Sequence, residues 1–231
     1  GDAPVAHYLG NEGVLVTRGA TKVLFDPLFR ENYGQYERVP EALEAAKQAG
    51  NFVRIDMEDS SVTDVTLDIY REMRRDYDRV GAVIQSCLRR SRQDVIDLMA
   101  EGPTDIRLCK GIYIEPEDIA YTDYEENRNS FSEILDLLLE GGARVGIATH
   151  DPVLVERALA SLKRFGVDKD QYEFQMLLGV RELLRDAIRN AGHLMRVYIP
   201  FGPEWYDYSI RRLKENPKIA GHVFRAFLRL H

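Results

Sequence analysis

From residue 51 onwards the chain alternates short apolar runs with longer amphipathic segments, and this alternation constrains the fold more than any other feature. The runs have the length of β-strands, and the segments between them show the period of amphipathic helices. The predicted strands are 52–57, 81–85, 106–110, 145–149, 172–177 and 195–200. The predicted helices are 64–79, 92–100, 128–140, 152–165, 180–190, 205–215 and 220–230. Strands and helices joined in this order form a parallel sheet with right-handed crossovers, so we predict an α/β fold.

The first 50 residues have a different pattern. Two apolar runs, Val14–Val16 and Val23–Phe25, flank a turn at Arg18–Ala20, which predicts a β-hairpin. Pro40 then opens a helix predicted over 41–48. We therefore expect two regions, an atypical N-terminal region over 1–50 and a βα region over 51–231.

The composition excludes several classes of protein. The chain has 231 residues, 45% of them hydrophobic and 30% charged, and a net charge of −7 without a basic stripe, so we expect no nucleic-acid partner. No apolar run has membrane-spanning length, and the N-terminus lacks the pattern of a signal peptide. Two cysteines and five scattered histidines form neither a disulfide framework nor a metal motif, so we expect no metal and a reducing compartment.

Polar side chains stand at or near the end of each predicted strand. The stretch Asp105–Glu115 is the most informative, because Arg107 inside a covered strand costs several kcal/mol unless an anion or dipole meets it. Lys110 and Gly111 follow at the strand end. The corresponding residues of the other strands are Asp56, Gln85, Thr149, His150, Gln175 and Tyr198. Since parallel strands share one carboxyl edge, these side chains should converge there, and the set fits an organic cofactor better than hydrolytic chemistry.

Each of these residues also has a purely structural interpretation. Arg107 and Lys110 are equally consistent with an exposed edge strand that carries two solvated cations. Asp56 could cap a turn, His150 could precede a helix start at Asp151–Pro152, and Gln175 could be a satisfied buried amide.

A second feature lies on the helix predicted over 205–215. Tyr208, Arg211, Arg212 and Glu215 stand at i, i+3, i+4 and i+7, so they share one helix face. Adjacent arginines there could bind a small carboxylate in a bidentate manner, or they could form a solvated face with an Arg211–Glu215 pair.

Seven stretches together resemble the proline dehydrogenase family in its bacterial form, in the order and spacing of that family. They are Phe52–Ser60, Ile84–Ser86, Arg107–Tyr113, Ala148–His150, Tyr172–Leu177, Arg196–Gly202 and Tyr208–Leu213. The resemblance covers about residue 51 to the end and implies a (β/α)8 barrel that binds FAD and oxidises L-proline to Δ1-pyrroline-5-carboxylate. The implied step is hydride transfer from proline C5 to flavin N5.

The resemblance also implies a role for each matching residue. Arg107 lies beside the flavin ring and offsets negative charge on the reduced flavin, and Asp56 shares the catalytic role. The flavin is lined by Met57, Gln85, Lys110, Gly111, Ile112, Thr149 and His150. The proline pocket is formed by Asp56, Leu177, Tyr198 and Tyr208, with Arg211 and Arg212 on the carboxylate. Lys22 is the nearest candidate for a family lysine on an earlier strand.

Three features depart from the family pattern. Ile112 replaces a small residue, which predicts a tighter or altered pocket. Ile114 stands where Trp or Leu is common. Residues 1 to about 45 resemble instead the opening hairpin of the metallo-β-lactamase fold, without its histidine-rich metal motif. Because residues 51–231 supply six βα units, we expect an incomplete barrel, or one closed irregularly or by a partner chain.

Four functions therefore compete. The leading hypothesis is a flavin-dependent proline dehydrogenase with a quinone acceptor, located in the cytoplasm or peripherally at the inner membrane, and able to form a homo-oligomer. The second is oxidation of another cyclic or N-alkyl amino acid. The third is a non-catalytic or regulatory barrel remnant, and the last, disfavoured by its missing ligands, is a metallo-hydrolase.

Overall fold

The structure is a computed structural model that describes the backbone of Val5–Tyr8, Val14–Arg18 and Thr21–Phe25, and then residues 39–198 continuously. The predicted helices over 205–215 and 220–230, and the last two residues of the strand predicted over 195–200, lie outside the described residues.

The N-terminal segments form a three-stranded antiparallel sheet. Its strands are β1 (Val5–Tyr8), β2 (Val14–Arg18) and β3 (Thr21–Phe25), in the order β1-β2-β3. The predicted hairpin is confirmed as β2 and β3, with Val16 opposite Val23. Strand β1 was not predicted from the sequence. The division of the chain near residue 50 stays a prediction.

Six parallel strands follow and make the main sheet, in the order in which they occur along the chain. They are β4 (Val53–Ile55), β5 (Val80–Gln85), β6 (Asp105–Cys109), β7 (Arg144–Ala148), β8 (Tyr172–Leu177) and β9 (Met195–Tyr198). The helices are α1 (Val39–Ala49), α2 (Thr63–Asp76), α3 (Ser91–Ala100), α4 (Tyr124–Glu140), α5 (Pro152–Phe165) and α6 (Glu182–Asn190), with a 3-10 helix at Ser60–Val62. The sheet curls like part of a (β/α)8-type barrel, which confirms the predicted fold class.

Strand β6 lies in the interior of this sheet, between β5 and β7. The alternative of an exposed edge strand at Arg107 is therefore wrong. Ile106 and Leu108 point to the helical side and are fully buried there, whereas Arg107 points to the concave side of the sheet. The period-2 alternation that predicted this strand is the alternation between these two sides.

Helix α5 shows how local sequence fixes the elements that border the site. Asp151 is its N-cap and accepts a hydrogen bond from the Val153 backbone N–H, and Pro152 occupies the first turn. Gly166 ends the helix in the left-handed region, at φ 63°. On the inner side the helix buries Leu154, Val155 and Ala158 in the main hydrophobic core. The helix start therefore lies at the carboxyl edge of β7, where Asp151 has further partners.

Candidate functional site

The predicted site residues that fall in the described part of the main sheet lie at or near its carboxyl edge. Asp56 and Met57 follow β4, Gln85 ends β5, and Lys110 to Ile112 follow β6. Thr149 and His150 follow β7, Leu177 ends β8, and Tyr198 ends β9. Arg107 stands on β6 two residues before that strand ends. Parallel strands bring these positions to one edge, as the sequence predicted.

Arg107 is the centre of this arrangement. One Nη of its guanidinium forms an ion pair and hydrogen bond with the Asp56 carboxylate, and its Nε donates to Gln175 Oε1 at 2.7 Å. Its side chain is 17% exposed. A carboxylate from one side and an amide oxygen from the other offset the cost of placing this cation inside the sheet. The structure thus joins Asp56, Arg107 and Gln175, three residues from distant parts of the chain.

A further set of charged side chains lies on the concave side, and its exposure ranges from the buried Glu173 to Arg196, whose side chain is 52% exposed. Glu173, 2% exposed, accepts two hydrogen bonds from Arg196, at 2.5 and 2.9 Å. Arg144 lies 3.7 Å from Glu173 and pairs at 3.0 Å with Asp105, which also meets Arg54 at 2.5 Å. Burial raises the pKa of Glu173, but the hydrogen bonds and charge of Arg196, with Gln175 and Arg144, hold it below its ordinary value.

The grouping of Glu173, Asp105, Arg54, Arg144 and Arg196 was not predicted from the sequence. The signal was available, because each occupies the alternate position of its strand from the buried apolar residues. A strand with charges at every second position and helices on its other side predicts ion pairs within a barrel.

Gly111 provides the closest backbone approach at this edge. Its φ is +89°, and a Cβ on it would meet Gln85 Oε1 at 2.8 Å and the Cys87 thiol more closely still. Gln85 is held in place because its Nε2 donates to the Glu58 carbonyl at 2.6 Å. Only glycine satisfies both the backbone conformation and the space, which is typical of a chain that passes close to a ligand or another backbone.

Met57 and Ile112 have contrasting surroundings. Met57 is buried within the main hydrophobic core. Ile112 is 43% exposed in the segment after β6, and Ile114 is fully exposed. An apolar side chain exposed at the carboxyl edge of the sheet is available to contact a bound molecule.

The segment after β6 is attached to the segment after β4. The Ser60 backbone N–H and hydroxyl donate to the two oxygens of Glu115 at 2.8 and 2.6 Å, and the Tyr113 hydroxyl donates to Glu58. These contacts fix the position of both segments at the carboxyl edge, because they join two parts of the chain that are far apart in sequence.

Lys110 belongs to a cluster that the sequence did not reveal. Its Nζ lies 3.3 Å from Asp151 Oδ2 and 4.3 Å from the centroid of the Tyr124 ring. Arg128 donates to both Asp151 oxygens at 2.8 Å, and the Tyr124 hydroxyl donates to the same carboxylate, also at 2.8 Å. Burial raises the pKa of Asp151, but these donors outweigh it and hold the pKa well below its ordinary value. Lys110 is therefore a fixed cation at the strand end.

His150 is a neutral acceptor in this structure. Its Nε2 accepts a hydrogen bond from the Leu177 backbone N–H at 2.8 Å, so the ring proton of the neutral form resides on Nδ1. Burial, together with the charges of Arg181 and Lys110, lowers the pKa of His150 to about 4. The imidazole thus joins the ends of β7 and β8, while Thr149 Oγ1 accepts from the Asp151 backbone N–H at 3.1 Å.

For four predicted substrate-binding residues, the position of the side chain lies outside the described part of the structure. Lys22 lies in β3, where its backbone pairs with Thr17 in the N-terminal sheet. Tyr208, Arg211 and Arg212 lie outside the described residues. Their roles stay predictions.

Two features are absent from the described part of the chain. Within 5–8, 14–18, 21–25 and 39–198, no group of three or more His, Cys, Asp or Glu side chains is placed to hold a metal ion. Among the helices that the structure describes, none is long and apolar enough to cross a membrane.

The fold and the edge define a class of protein: an α/β protein of the (β/α)8-barrel type with polar side chains gathered at its strand ends. Comparison with known proteins then identifies the family, since the model of the family described as "Proline dehydrogenase" matches residues 5–225. The chain belongs to the proline dehydrogenase family. It is 35% identical over 190 residues to proline dehydrogenase 2 of Bacillus subtilis (strain 168), a match that covers 82% of this chain and 62% of the relative.

Two further matches agree. Proline dehydrogenase of Deinococcus radiodurans is 38% identical over 190 residues, which covers 80% of this chain and 60% of that protein. The crystal structure of proline utilization A from Bdellovibrio bacteriovorus, inactivated by N-propargylglycine, superposes with a TM-score of 0.72 at 30% identity, covering 78% of this chain and 21% of the other. The chain thus spans about three fifths of the length of these curated relatives.

The family match changes one conclusion about the N-terminus. It begins at residue 5 and so includes the segment for which the sequence analysis expected a metallo-β-lactamase hairpin. That resemblance is not borne out. An antiparallel β-hairpin is a common local structure, and its pattern alone does not distinguish one fold from another.

Proposed function

We propose that this chain carries out FAD-dependent oxidation of L-proline to Δ1-pyrroline-5-carboxylate. The observation that supports the proposal best is the guanidinium of Arg107, which is held between Asp56 and Gln175 at the carboxyl edge of a parallel sheet. Family membership supports the same reaction, because curated relatives at 35% and 38% identity are named proline dehydrogenases.

The described residues fit a flavin in chemical type. Gly111 lets the backbone after β6 pass close to Gln85 and Cys87, and Lys110 and Arg107 place two fixed cations near one edge. Such cations favour an electron-rich ring and an anionic group. In this proposal the flavin is held by Met57, Gln85, Lys110, Gly111, Ile112, Thr149 and His150. When bound, the flavin supplies the acceptor, at N5, for the two electrons and hydrogen removed from proline C5.

The protein's own contribution is electrostatic and positional. Arg107 presents a positive charge whose orientation is set before substrate arrives, which costs no reorganisation during the reaction. Asp56 balances that charge and faces the substrate side. Leu177, fixed through its backbone by His150, packs on the substrate ring, and Tyr198 and Tyr208 complete the pocket. Arg211 and Arg212 hold the carboxylate, and Lys22 supports the pocket.

The proposal extends to partners and location. A membrane quinone accepts the electrons after each turnover, so the protein works in the cytoplasm or peripherally at the inner membrane. A homo-oligomer is compatible with this arrangement.

An absorbance spectrum of the purified full chain tests the proposed function. After reconstitution with FAD, we expect flavin bands that bleach when L-proline is added under anaerobic conditions. D-proline is the matched control, because it has the same composition but places its carboxylate on the opposite side of the ring. A spectrum without flavin after reconstitution would contradict the proposal and favour the non-catalytic barrel.

A second candidate function is oxidation of another cyclic or N-alkyl amino acid. The observation that favours it is Ile112, a bulky and partly exposed side chain at the carboxyl edge of the sheet. Reduction rates with L-proline, a hydroxylated proline and N-methylglycine distinguish the two functions. If N-methylglycine reduces the flavin faster than L-proline does, and Ile112→Ala reverses the order, the second function holds.

A further inference from the structure

Arg107 and Gln175 make contact although their strands are not neighbours. Strand β7 lies between β6 and β8, and its residue Gly146 is the register partner of both Arg107 and Glu173. The Gln175 side chain crosses over Gly146 to reach the guanidinium. A Cβ at position 146 would lie 2.5 Å from Gln175 Nε2, 3.0 Å from Gln175 Cδ and 3.6 Å from the Arg107 Cα. The contact therefore requires the absence of a side chain at position 146.

Glu173 determines which end of the Gln175 amide faces Arg107. A glutamine amide has an acceptor oxygen at one end and a donor nitrogen at the other. Here Nε2 donates to Glu173 Oε1 at 2.7 Å, and Oε1 accepts from Arg107 Nε at 2.7 Å. The reversed amide would set NH2 against the guanidinium and oxygen against the carboxylate. Because one neighbour only donates and the other only accepts, a single orientation of the amide is compatible with both.

Glu173 is itself held firmly. Arg196 donates to both of its carboxylate oxygens, and Arg144 adds a weaker contact at 3.7 Å. The chain of contacts thus runs from this ion pair through Gln175 to Nε of Arg107, whose Nη1 meets Asp56. We call the contacts from Glu173 through Gln175 to Arg107 the relay. Two fixed edges of a planar guanidinium determine its plane.

We propose that Gly146, Gln175 and Glu173 are positioning residues that set the orientation of Arg107 at the flavin. This inference rests on the proposed function, because it assigns the purpose of a fixed Arg107 to flavin reduction. The competing explanation is that the same contacts only satisfy buried charge and stabilise the barrel.

The sharpest test is Gly146→Ala, which removes no polar group and displaces only the amide. The backbone at this strand position is one that alanine adopts without strain. In the FAD-reconstituted full chain we expect the limiting rate of flavin reduction by L-proline to fall by about tenfold to a hundredfold, the range expected when a catalytic group is misplaced by less than about 1 Å. The midpoint potential of the bound flavin should become more negative, because the guanidinium stabilises the reduced form less well.

Gln175→Met provides a second route to the same state. Methionine has a similar length and removes both hydrogen bonds, so we expect a loss of the same size. The double variant should lose no more than Gln175→Met alone, because a flexible thioether leaves no fixed amide for the added methyl group at position 146 to displace. Additive losses in the double variant would overturn the relay.

Gly81→Ala is the matched control. Gly81 also lies within a strand, and a Cβ there would crowd the Arg54 guanidinium at 2.5 Å, the Phe52 ring at 2.7 Å and the Asp105 backbone carbonyl at 2.8 Å, but not the Gln175 amide. We expect a lower unfolding midpoint with an unchanged reduction rate and flavin potential. If Gly81→Ala slows reduction as much as Gly146→Ala does, the effect is general destabilisation and the positioning role is refuted.

A measurement without flavin or substrate separates this inference from the proposed function. In the wild-type chain the Arg107 Nε–H resonance, assigned by its absence in Arg107→Lys, should be protected from exchange with solvent. Gly146→Ala should abolish that protection. If protection is lost in Gly146→Ala but proline reduces the flavin of this variant as fast as it reduces the flavin of the wild type, the relay does not serve catalysis. If protection is lost and wild-type flavin does not bleach at all, the proposed function fails while the relay stands as geometry; retained protection overturns the relay directly.

Discussion

The two sides of the parallel sheet are built from the same strands but follow opposite chemistry. On the helical side, residues such as Ile106, Leu108, Ile147 and Phe174 are completely buried among apolar neighbours. On the concave side, the alternate residues of those strands include most of the charged and amide side chains of the sheet, which are joined by ion pairs and hydrogen bonds. Apolar burial stabilises by about 25 cal/mol per Å², whereas a buried ion pair roughly offsets its own desolvation cost. The helical side therefore supplies stability, and the concave side supplies a fixed arrangement of charge.

The largest effect is expected from breaking a buried ion pair on the concave side. Asp105→Ala removes the partner of Arg54, whose side chain is 9% exposed, and should lower the free energy of unfolding by about 3–5 kcal/mol. Urea denaturation measures the change. The double variant Arg54→Met/Asp105→Leu should be more stable than Asp105→Ala, since the buried Arg54 charge is removed together with its partner. Arg144, which also pairs with Asp105, is 34% exposed and retains Glu173 at 3.7 Å in both variants. A double variant that is less stable would mean that the ion pair itself stabilises the fold.

Leu108→Ala tests the helical side with a residue adjacent to Arg107. Leu108 is 0% exposed, so we expect a loss of about 2–5 kcal/mol in the free energy of unfolding from lost burial and the resulting cavity. At a temperature where the variant stays folded, flavin reduction per bound flavin should match the wild type. A large change in that rate would show that the two sides are not separable.

Arg107→Met, at the neighbouring position of the same strand, should have the opposite pattern: a large loss in the rate of flavin reduction and a small loss in stability. We expect the rate of flavin reduction to fall by about 10²-fold, the usual cost of removing one preorganised electrostatic contact. Stability should change less than in Leu108→Ala, because Asp56, 34% exposed, can recover solvent contacts. Stopped-flow reduction and urea denaturation of the same preparation check both statements. A loss in the free energy of unfolding that accounts for the whole loss in rate would assign Arg107 a structural role.

The smallest expected effect is a pH dependence that originates at His150. Its pKa is lowered from 6.5 to about 4 in the folded protein, so the unfolded chain binds a proton in this window that the folded chain does not. The stability contribution is fully present above the unfolded value and is lost as pH falls. We expect His150→Gln to remove about 1 kcal/mol of the stability loss that the wild type shows across this window. Denaturation curves at several pH values measure it, and parallel curves for the two proteins would exclude His150 as the cause.

The helix starts show where local sequence was informative and where it was underused. The sequence predicted α5 at its observed bounds because Pro152 marks its first turn. It placed the start of α4 at residue 128 instead of Tyr124, although Asp123 is an N-cap that accepts from the Glu125 and Glu126 backbone N–H groups. An Asp followed three residues later by Glu is a recognisable start signal. The information that places this helix start was therefore present in the local sequence.

The strand-internal glycine Gly146 is a similar case. A glycine within a buried strand indicates close approach of another group, so its importance could have been predicted. The identity of that group could not, because Gln175 follows 29 residues later and reaches it only across the sheet. The same holds for Asp151, which the sequence identified as a helix start but not as the common partner of Lys110, Tyr124 and Arg128.

The sequence by itself determined the α/β class, the order of the strands and the set of residues at their carboxyl edge, because apolar periodicity and strand direction are local properties. It also identified the family over residues 51–231, and the family match extends this to residue 5. Only the tertiary structure decided which charges meet. Ion pairs between strands depend on register and sheet curvature, and a shift of one residue would turn Arg107 and Glu173 to the opposite side.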